Sequence, residues 1–208
     1  MMTLLQSLNK PYCTLAGISE MLRRRHLQTQ MHSERVVMLA DVFARACALT
    51  HSQRTQLLYS ALLHDVGKIS IPDSILMFPG PLDDPQREVM QQHSATGEAI
   101  IRLMQLEDGE EIAGHVRHHH EHYDGSGYPD GLAGKAIPLL ARMLTILDSY
   151  DALRETRPYR PALSHTQAIE IMHHERGIKH DPELLERFFE IPEIKTIEDH
   201  APDRLPEH

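Results

Sequence analysis

Two residues carry the strongest local chemical signal in this chain. His64 and Asp65 stand side by side at the end of an apolar run, Leu62-Leu63-His64-Asp65-Val66-Gly67-Lys68, with a glycine and a lysine behind them. Neighbours on a helix point about 100° apart, so the two side chains can flank one space without stacking on each other. A carboxylate has two oxygens and can bridge two cations. An imidazole gives one nitrogen to a metal and keeps the other for an orienting hydrogen bond. The same pair would also serve as an ordinary polar helix end, the histidine set against the dipole. Further candidates are His32, His93, the adjacent His119 and His120, and Asp148. Asp148 is flanked by Leu144, Ile146 and Leu147, a place where an unpaired carboxylate is costly and a cation is an adequate partner. Taken singly, each of these histidines reads more readily as a satisfied core or surface group than as a ligand.

The elements that must position these residues read as helices. A first amphipathic segment covers 14–25. From His32 to Leu49, apolar residues at Val36, Leu39, Ala40, Phe43, Ala46 and Cys47 recur near a period of 3.6. Ser52 is a plausible N-cap for a helix through Leu57, Leu58, Ala61 and Leu62 to about Asp65, where Gly67 supports a stop. Residues 70–84 hold three prolines and a glycine and read as loop. Asp84-Pro85 opens a helix carrying Val89, His93, Gly97, Ile100, Ile101 and Met104. Glu110 to about His122 reads as another, Tyr123 to Ala136 as a glycine-rich loop with room for a short hairpin, and Pro138 opens a helix to about Leu153. Helices near 164–175 and 182–190 follow, capped by Ser164 and Asp181. The expected class is all-α, organised as an N-terminal helical segment (1–25), one domain (26–190) and an acidic, proline-containing tail (191–208).

Composition bounds the chemistry. The 208 residues are 41% hydrophobic and 25% charged, a globular balance with enough chain for one core. A net charge of -9 argues against a nucleic-acid duplex as partner. Cys13 and Cys47 are too few for a disulfide framework or a cysteine zinc site, and read as thiols of a cytoplasmic protein. No run is long and apolar enough for a membrane span, and the first residues lack a signal-peptide core. Histidine is the outlier, with 16 scattered along the chain, which points to metal ligation for some of them.

The ordered segments His32-Ser33-Glu34-Arg35-Val36, Ala61 to Leu76, the stretch around His93, the long run from His119 through Gly127-Tyr128-Pro129 to Arg142, Asp148 to Leu153, and Arg157 to Leu163 together resemble the HD-GYP family of HD metallohydrolases. The resemblance covers roughly 26–190. It implies a helical bundle around a buried metal cluster, with His32, His64, Asp65, His93, His119, His120 and Asp148 as ligands and Asp65 bridging. It implies a cluster of two or three divalent transition metals, iron or manganese, with zinc or nickel acquired on purification. It also implies hydrolysis of cyclic di-GMP or a related cyclic dinucleotide to the linear dinucleotide pGpG and on to GMP, by attack of a metal-bridging hydroxide on the phosphodiester. Asp65 and Lys68 are the catalytic candidates. Lys68, Tyr128, Arg157 and Arg160 are the substrate-binding ones, the arginines because their fork suits phosphate. The Gly-Tyr-Pro loop is implied to border the cleft and to touch partners of the diguanylate cyclase type.

The departures from that pattern matter. Gln28 stands where some members carry a third-metal glutamate, so two metals are expected. Met77-Phe78 replaces a common basic residue before the Pro-Gly turn. His180 replaces an aromatic and is read as packing, and His118 is read as exposed. Two other functions stay open: an HD phosphohydrolase of another nucleotide, and a non-catalytic module that binds a cyclic dinucleotide or another protein.

Overall fold

Four of the described helices start on short polar side chains that take up the first free backbone N–H groups. The computed structural model describes Gly17, Glu20 and residues 24–156 and 161–195. Within them lie eight α-helices: α1 Leu27–Ala46, α2 His51–Leu63, α3 Asp73–Leu76, α4 Asp84–Leu103, α5 Gly109–Arg117, α6 Leu139–Arg154, α7 His165–His174 and α8 Pro182–Phe189, with short 3-10 turns at Val66–Ser70, Gly134–Ala136 and Pro192–Lys195. Reciprocal capping boxes start α2 (Thr50 with Gln53), α4 (Asp83 with Gln86) and α7 (Ser164 with Gln167). Asp181 caps α8 through the amides of Glu183 and Leu184, with Pro182 in the first turn.

The fold is all-α, and no strand occurs among the described residues; Arg176 and His180 form one isolated bridge, and the hairpin allowed for the glycine-rich loop is not made. α6 is the axis. Leu140, Met143, Leu144, Ile146, Leu147 and Tyr150 are all buried, so the helix is covered on nearly all sides, packing on α1, α2, α5 and α7. Phe188 of α8 meets the edges of Phe43 (5.4 Å between centroids) and Tyr150 (5.2 Å), closing the far end of the core. Ile191 and Ile194, in the segment read as the start of the tail, belong to that core.

Several local expectations change. The cap of α2 is Thr50, not Ser52, because the Thr50-Gln53 box satisfies two amides where a lone Ser would satisfy one. α1 begins at Leu27 with the His26 ring accepting from the Thr29 amide, so His32 lies inside the helix rather than at its opening. α5 ends at Arg117, which puts His119 and His120 on a turn. The 70–84 stretch contains α3. His118 is only part-exposed and bonds to Asp130 at 2.9 Å. The helix expected over 14–25 falls mostly outside the described residues.

One buried group sets an acid limit on this core. His115 is 8% exposed, its Nδ1 3.2 Å from the Ser60 hydroxyl. Burial, helped by the neighbouring His118, pushes the imidazole from 6.5 down to about 4. Between those values the unfolded chain takes up the proton more readily, so the stability His115 contributes is complete above pH 6.5 and is lost as pH falls toward 4. The expected result is that urea stability of the wild type falls by about 2 kcal/mol more between pH 7 and 5 than that of His115→Gln. Parallel curves for the two proteins would place the acid sensitivity elsewhere.

Candidate metal centre

Six separate segments deliver polar side chains to one cluster, part of which lines a cleft of about 770 Å³. His32 comes from α1. His64 closes α2, and Asp65 leads into the 3-10 turn that carries Lys68. His93 lies midway along α4, His119 and His120 follow α5, and Asp148 lies on α6. Close backbone approach makes this convergence possible. A Cβ on Gly67 would overlap the His93 carbonyl oxygen, so the 3-10 turn rests directly on the backbone of α4. A Cβ on Gly127 would likewise overlap the His122 amide and the His120 carbonyl, and only a glycine lets the loop fold back so that Tyr128 N donates to His120 O at 3.1 Å.

The donors fall into two groups. In the first, His32 Nε2 lies 3.0 Å from Asp148 Oδ1, and His64 Nε2 lies 3.1 Å from His32 Nε2 and 3.9 Å from Asp148 Oδ1. In the second, His93, His119 and His120 bring one ring nitrogen each within 4.8 Å of the others. Asp65 lies between them: Oδ2 is 3.5 Å from His64 Nε2, and Oδ1 is 3.6 Å from His93 Nε2. Lys68 Nζ donates to Oδ2 at 2.7 Å.

Hydrogen bonds behind the rings fix which nitrogen faces the cleft. Nδ1 of His64, His93 and His119 points at the carbonyl three residues back (Ala61 2.8 Å, Met90 2.7 Å, Val116 2.6 Å). A carbonyl only accepts, so Nδ1 carries the hydrogen and Nε2 presents a bare lone pair. His93 Nε2 and His119 Nε2 then face each other at 3.4 Å as two acceptors. That contact is repulsive unless a shared cation lies between or beside them. Burial drives His93 down to about 4 and His119 to about 3, the latter aided by His64 and His93. His120 is lowered for the same reason, so these imidazoles are neutral, as ligation requires.

His32 behaves differently. Burial works to lower it, but hydrogen bonds to Asp148 and Asp151 outweigh that and carry it up to about 10. The negative pocket that would hold a proton there is equally a pocket for a cation. Burial works to raise Asp65, and Lys68 and the surrounding imidazoles outweigh it, leaving the carboxyl well below its usual range. The donor set therefore fits divalent metal: neutral Nε2 lone pairs and ionised carboxylates, aimed inward and backed by second partners.

The sequence reading gave no role to Asp151. It is 1% exposed, accepts from His32 Nδ1 at 2.6 Å, and takes a two-pronged Arg35 at 2.8 and 2.9 Å. Arg35 is held in turn by Glu155. The available signal was a second acid three residues after Asp148 on an apolar helix. Glu121, also missed, is 1% exposed and holds the glycine-rich loop by accepting from the amides of Asp130 (2.7 Å) and Leu132 (3.1 Å). Although His118, Glu121 and Asp130 also lie close together, their oxygens are committed to Arg117 and to these amides.

Of the expected substrate residues, Lys68 and Tyr128 line the cleft. The Tyr128 ring lies over His120 at 4.9 Å and 30°, and burial with Asp148 and Asp65 pushes its hydroxyl up, so it can donate but not act as a base. Gln28 lines the same cleft and is exposed. Arg157 and Arg160 lie outside the described residues. No described helix is long and apolar enough to cross a membrane.

Known proteins are similar to this chain in sequence and in fold. The HD domain family profile matches residues 17–184. A protein of Xanthomonas campestris named cyclic di-GMP phosphodiesterase response regulator RpfG is 37% identical over 176 residues, covering 83% of this chain and 46% of its own length. The 3'3'-cGAMP-specific phosphodiesterase 3 of Vibrio cholerae is 37% identical over 82% of this chain and 37% of its own. The chain thus spans less than half the length of these curated relatives. The Listeria monocytogenes PgpH HD domain, solved in complex with cyclic-di-AMP, superposes with a TM-score of 0.62 at 15% identity, covering 92% of this chain and all of that one. An HDGYP protein from Bdellovibrio bacteriovorus gives 0.61 at 20% identity over 76% of this chain and 50% of its own. These two likenesses show the fold.

Proposed function

This chain belongs to the HD domain family, in its HD-GYP branch, and we propose on that footing that it hydrolyses a phosphodiester of a cyclic dinucleotide such as cyclic di-GMP. The observation that carries the reading is Asp65, whose two oxygens face two different histidine groups. His32, His64 and Asp148 would hold one divalent metal and His93, His119 and His120 the other, with Asp65 shared. The imidazole-rich set suits iron, manganese or zinc over magnesium. When bound, such a pair supplies a water of lowered pKa and offsets charge on the phosphoryl oxygens.

The chain's own residues do the rest. Asp151 and Arg35 fix the His32 ring and keep its Nδ1 hydrogen away from the cleft. Lys68 is a quarter exposed and sits on Asp65, from where its ammonium can turn to a phosphate oxygen. The Tyr128 hydroxyl stays protonated and serves as a donor at the cleft wall. Arg157 and Arg160 are assigned to the substrate's phosphates, and the products are the linear dinucleotide and then mononucleotide. A diguanylate cyclase partner would meet the glycine-rich loop through its exposed residues Asp124, Ser126 and Pro129, since Tyr128 is turned inward onto His120.

Elemental analysis after reconstitution under reducing conditions should give about two metals per chain. The same preparation should open cyclic di-GMP, 3'3'-cyclic GMP-AMP or cyclic di-AMP to a linear dinucleotide. At most one metal per chain, or turnover confined to nucleoside triphosphates, would overturn the assignment.

A further inference from the structure

The cleft is divided by chemistry. Its floor is the histidine and carboxylate cluster. The lining also has an apolar part, contributed by Ile75, Leu76, Met77, Phe78, Leu82 and Met90. Most large apolar groups among the described residues are buried, yet Phe78 is 43% exposed and Met77 54% exposed at this rim. We propose that Phe78, with Met77 beside it, is the platform on which a purine base of the substrate stacks, and so a specificity-determining residue of this chain. The inference rests on the cyclic-dinucleotide reading above.

The platform is rigidly mounted. The Phe78 ring lies against Gly80, where an added Cβ would stand 3.3 Å from Phe78 Cε1. Pro79 and Pro81 flank that glycine and restrict the backbone. Met77 N donates to Asp73 O at 3.0 Å and Phe78 N to Ile75 O at 3.2 Å, tying the rim to α3. The Arg25 guanidinium anchors the approach to α3, donating to Ile69 O, to Ile71 O at 2.7 Å and to the Asp73 carboxylate at 3.0 Å. A ring held this way loses little freedom when a base settles on it.

The ligand's own chemistry matches the division. With its phosphodiester at the polar floor, a cyclic dinucleotide must place its bases away from that floor, and a purine offers a large π-face that gains by leaving water. Tyr128, the other non-histidine aromatic of the described cleft, already has a ring face against His120. Phe78 has no ring partner among the described residues and keeps a face available.

The test uses the full chain loaded with metal. Phe78→Ala is expected to raise KM for cyclic di-GMP about tenfold with kcat changed less than about threefold, the equivalent of about 1.4 kcal/mol and within the range of base–aromatic stacking. Phe78→Trp should keep KM near wild type. With a cyclic dinucleotide carrying 2-aminopurine, binding should quench its fluorescence in wild type and Phe78→Trp, and much less in Phe78→Ala. Equal KM and equal quenching in wild type and Phe78→Ala would overturn the proposal, as would equal losses in the alanine and tryptophan variants. Failure of the wild type to bind or open any cyclic dinucleotide would sink the function itself, and is read before any variant is made.

Discussion

Replacing Asp65 with alanine is expected to lower phosphodiester turnover by about three orders of magnitude or more, a loss of about 4 kcal/mol of transition-state stabilisation. Metal content should fall with it. The carboxylate is 2% exposed and faces both donor groups, so its removal takes an oxygen from each at once. The helices should survive. Asp65 makes no side-chain cap for the turn it leads into, and its partner Lys68 is a quarter exposed and can turn to water. Asp65→Asn keeps the volume and one strong acceptor oxygen, so it is expected to retain more metal than the alanine variant. Elemental analysis, far-ultraviolet circular dichroism and kcat/KM measured together check this. Near-native turnover in Asp65→Ala would place the chemistry elsewhere in the chain.

The second large effect is expected at Gly67, and it is steric. An alanine Cβ there has nowhere to go, because the His93 carbonyl and the Gly97 amide occupy the space and both are backbone. The turn and α4 must separate, which moves Asp65 away from His93. Overpacking against side chains costs about 1–3 kcal/mol, and a backbone collision falls at or above the top of that range. For a chain of this size, 3 kcal/mol corresponds to a fall in Tm of about 6–12 °C. Gly67→Ala should therefore melt early and, below its melting point, hold less metal than wild type. A Gly67→Ala protein with the wild-type Tm and full metal content would show that the approach of turn and helix is not needed.

Much of this was legible along the chain, and the reasons are physical. His64 and Asp65 stand out because adjacent polar groups at the end of Leu57–Leu63 break an apolar helix. Asp148 stands out because it interrupts Leu144, Ile146 and Leu147 on α6. Caps at Ser164 and Asp181 were readable because they are local. What escaped depends on the third dimension. Asp151 earns its place only through Arg35 and His32, both more than a hundred residues earlier, and nothing in its neighbours names those partners. Glu121 is a buried acid satisfied by loop amides, an arrangement that hydrophobic periodicity does not register. The end of α5 was misplaced because His118 to His122 continue a polar pattern compatible with helix, whereas the chain turns there to present His119 and His120. Gly67 reads as a helix stop in the sequence. In the fold its more demanding role is to have no side chain.

The donor groups are spread from His32 on α1 to Asp148 on α6, which spans more than half of the sequence. A cation held by them would act as a cross-link between segments that no covalent bond joins. Closing so long a loop removes a large share of the unfolded chain's freedom, and the cost of closure grows only slowly with length. Occupancy would then be felt far from the cleft. Amide hydrogens in α1, α2, α4 and α6 would exchange with solvent more slowly and more nearly in unison, because opening any one of these helices would first require releasing the ion that joins them.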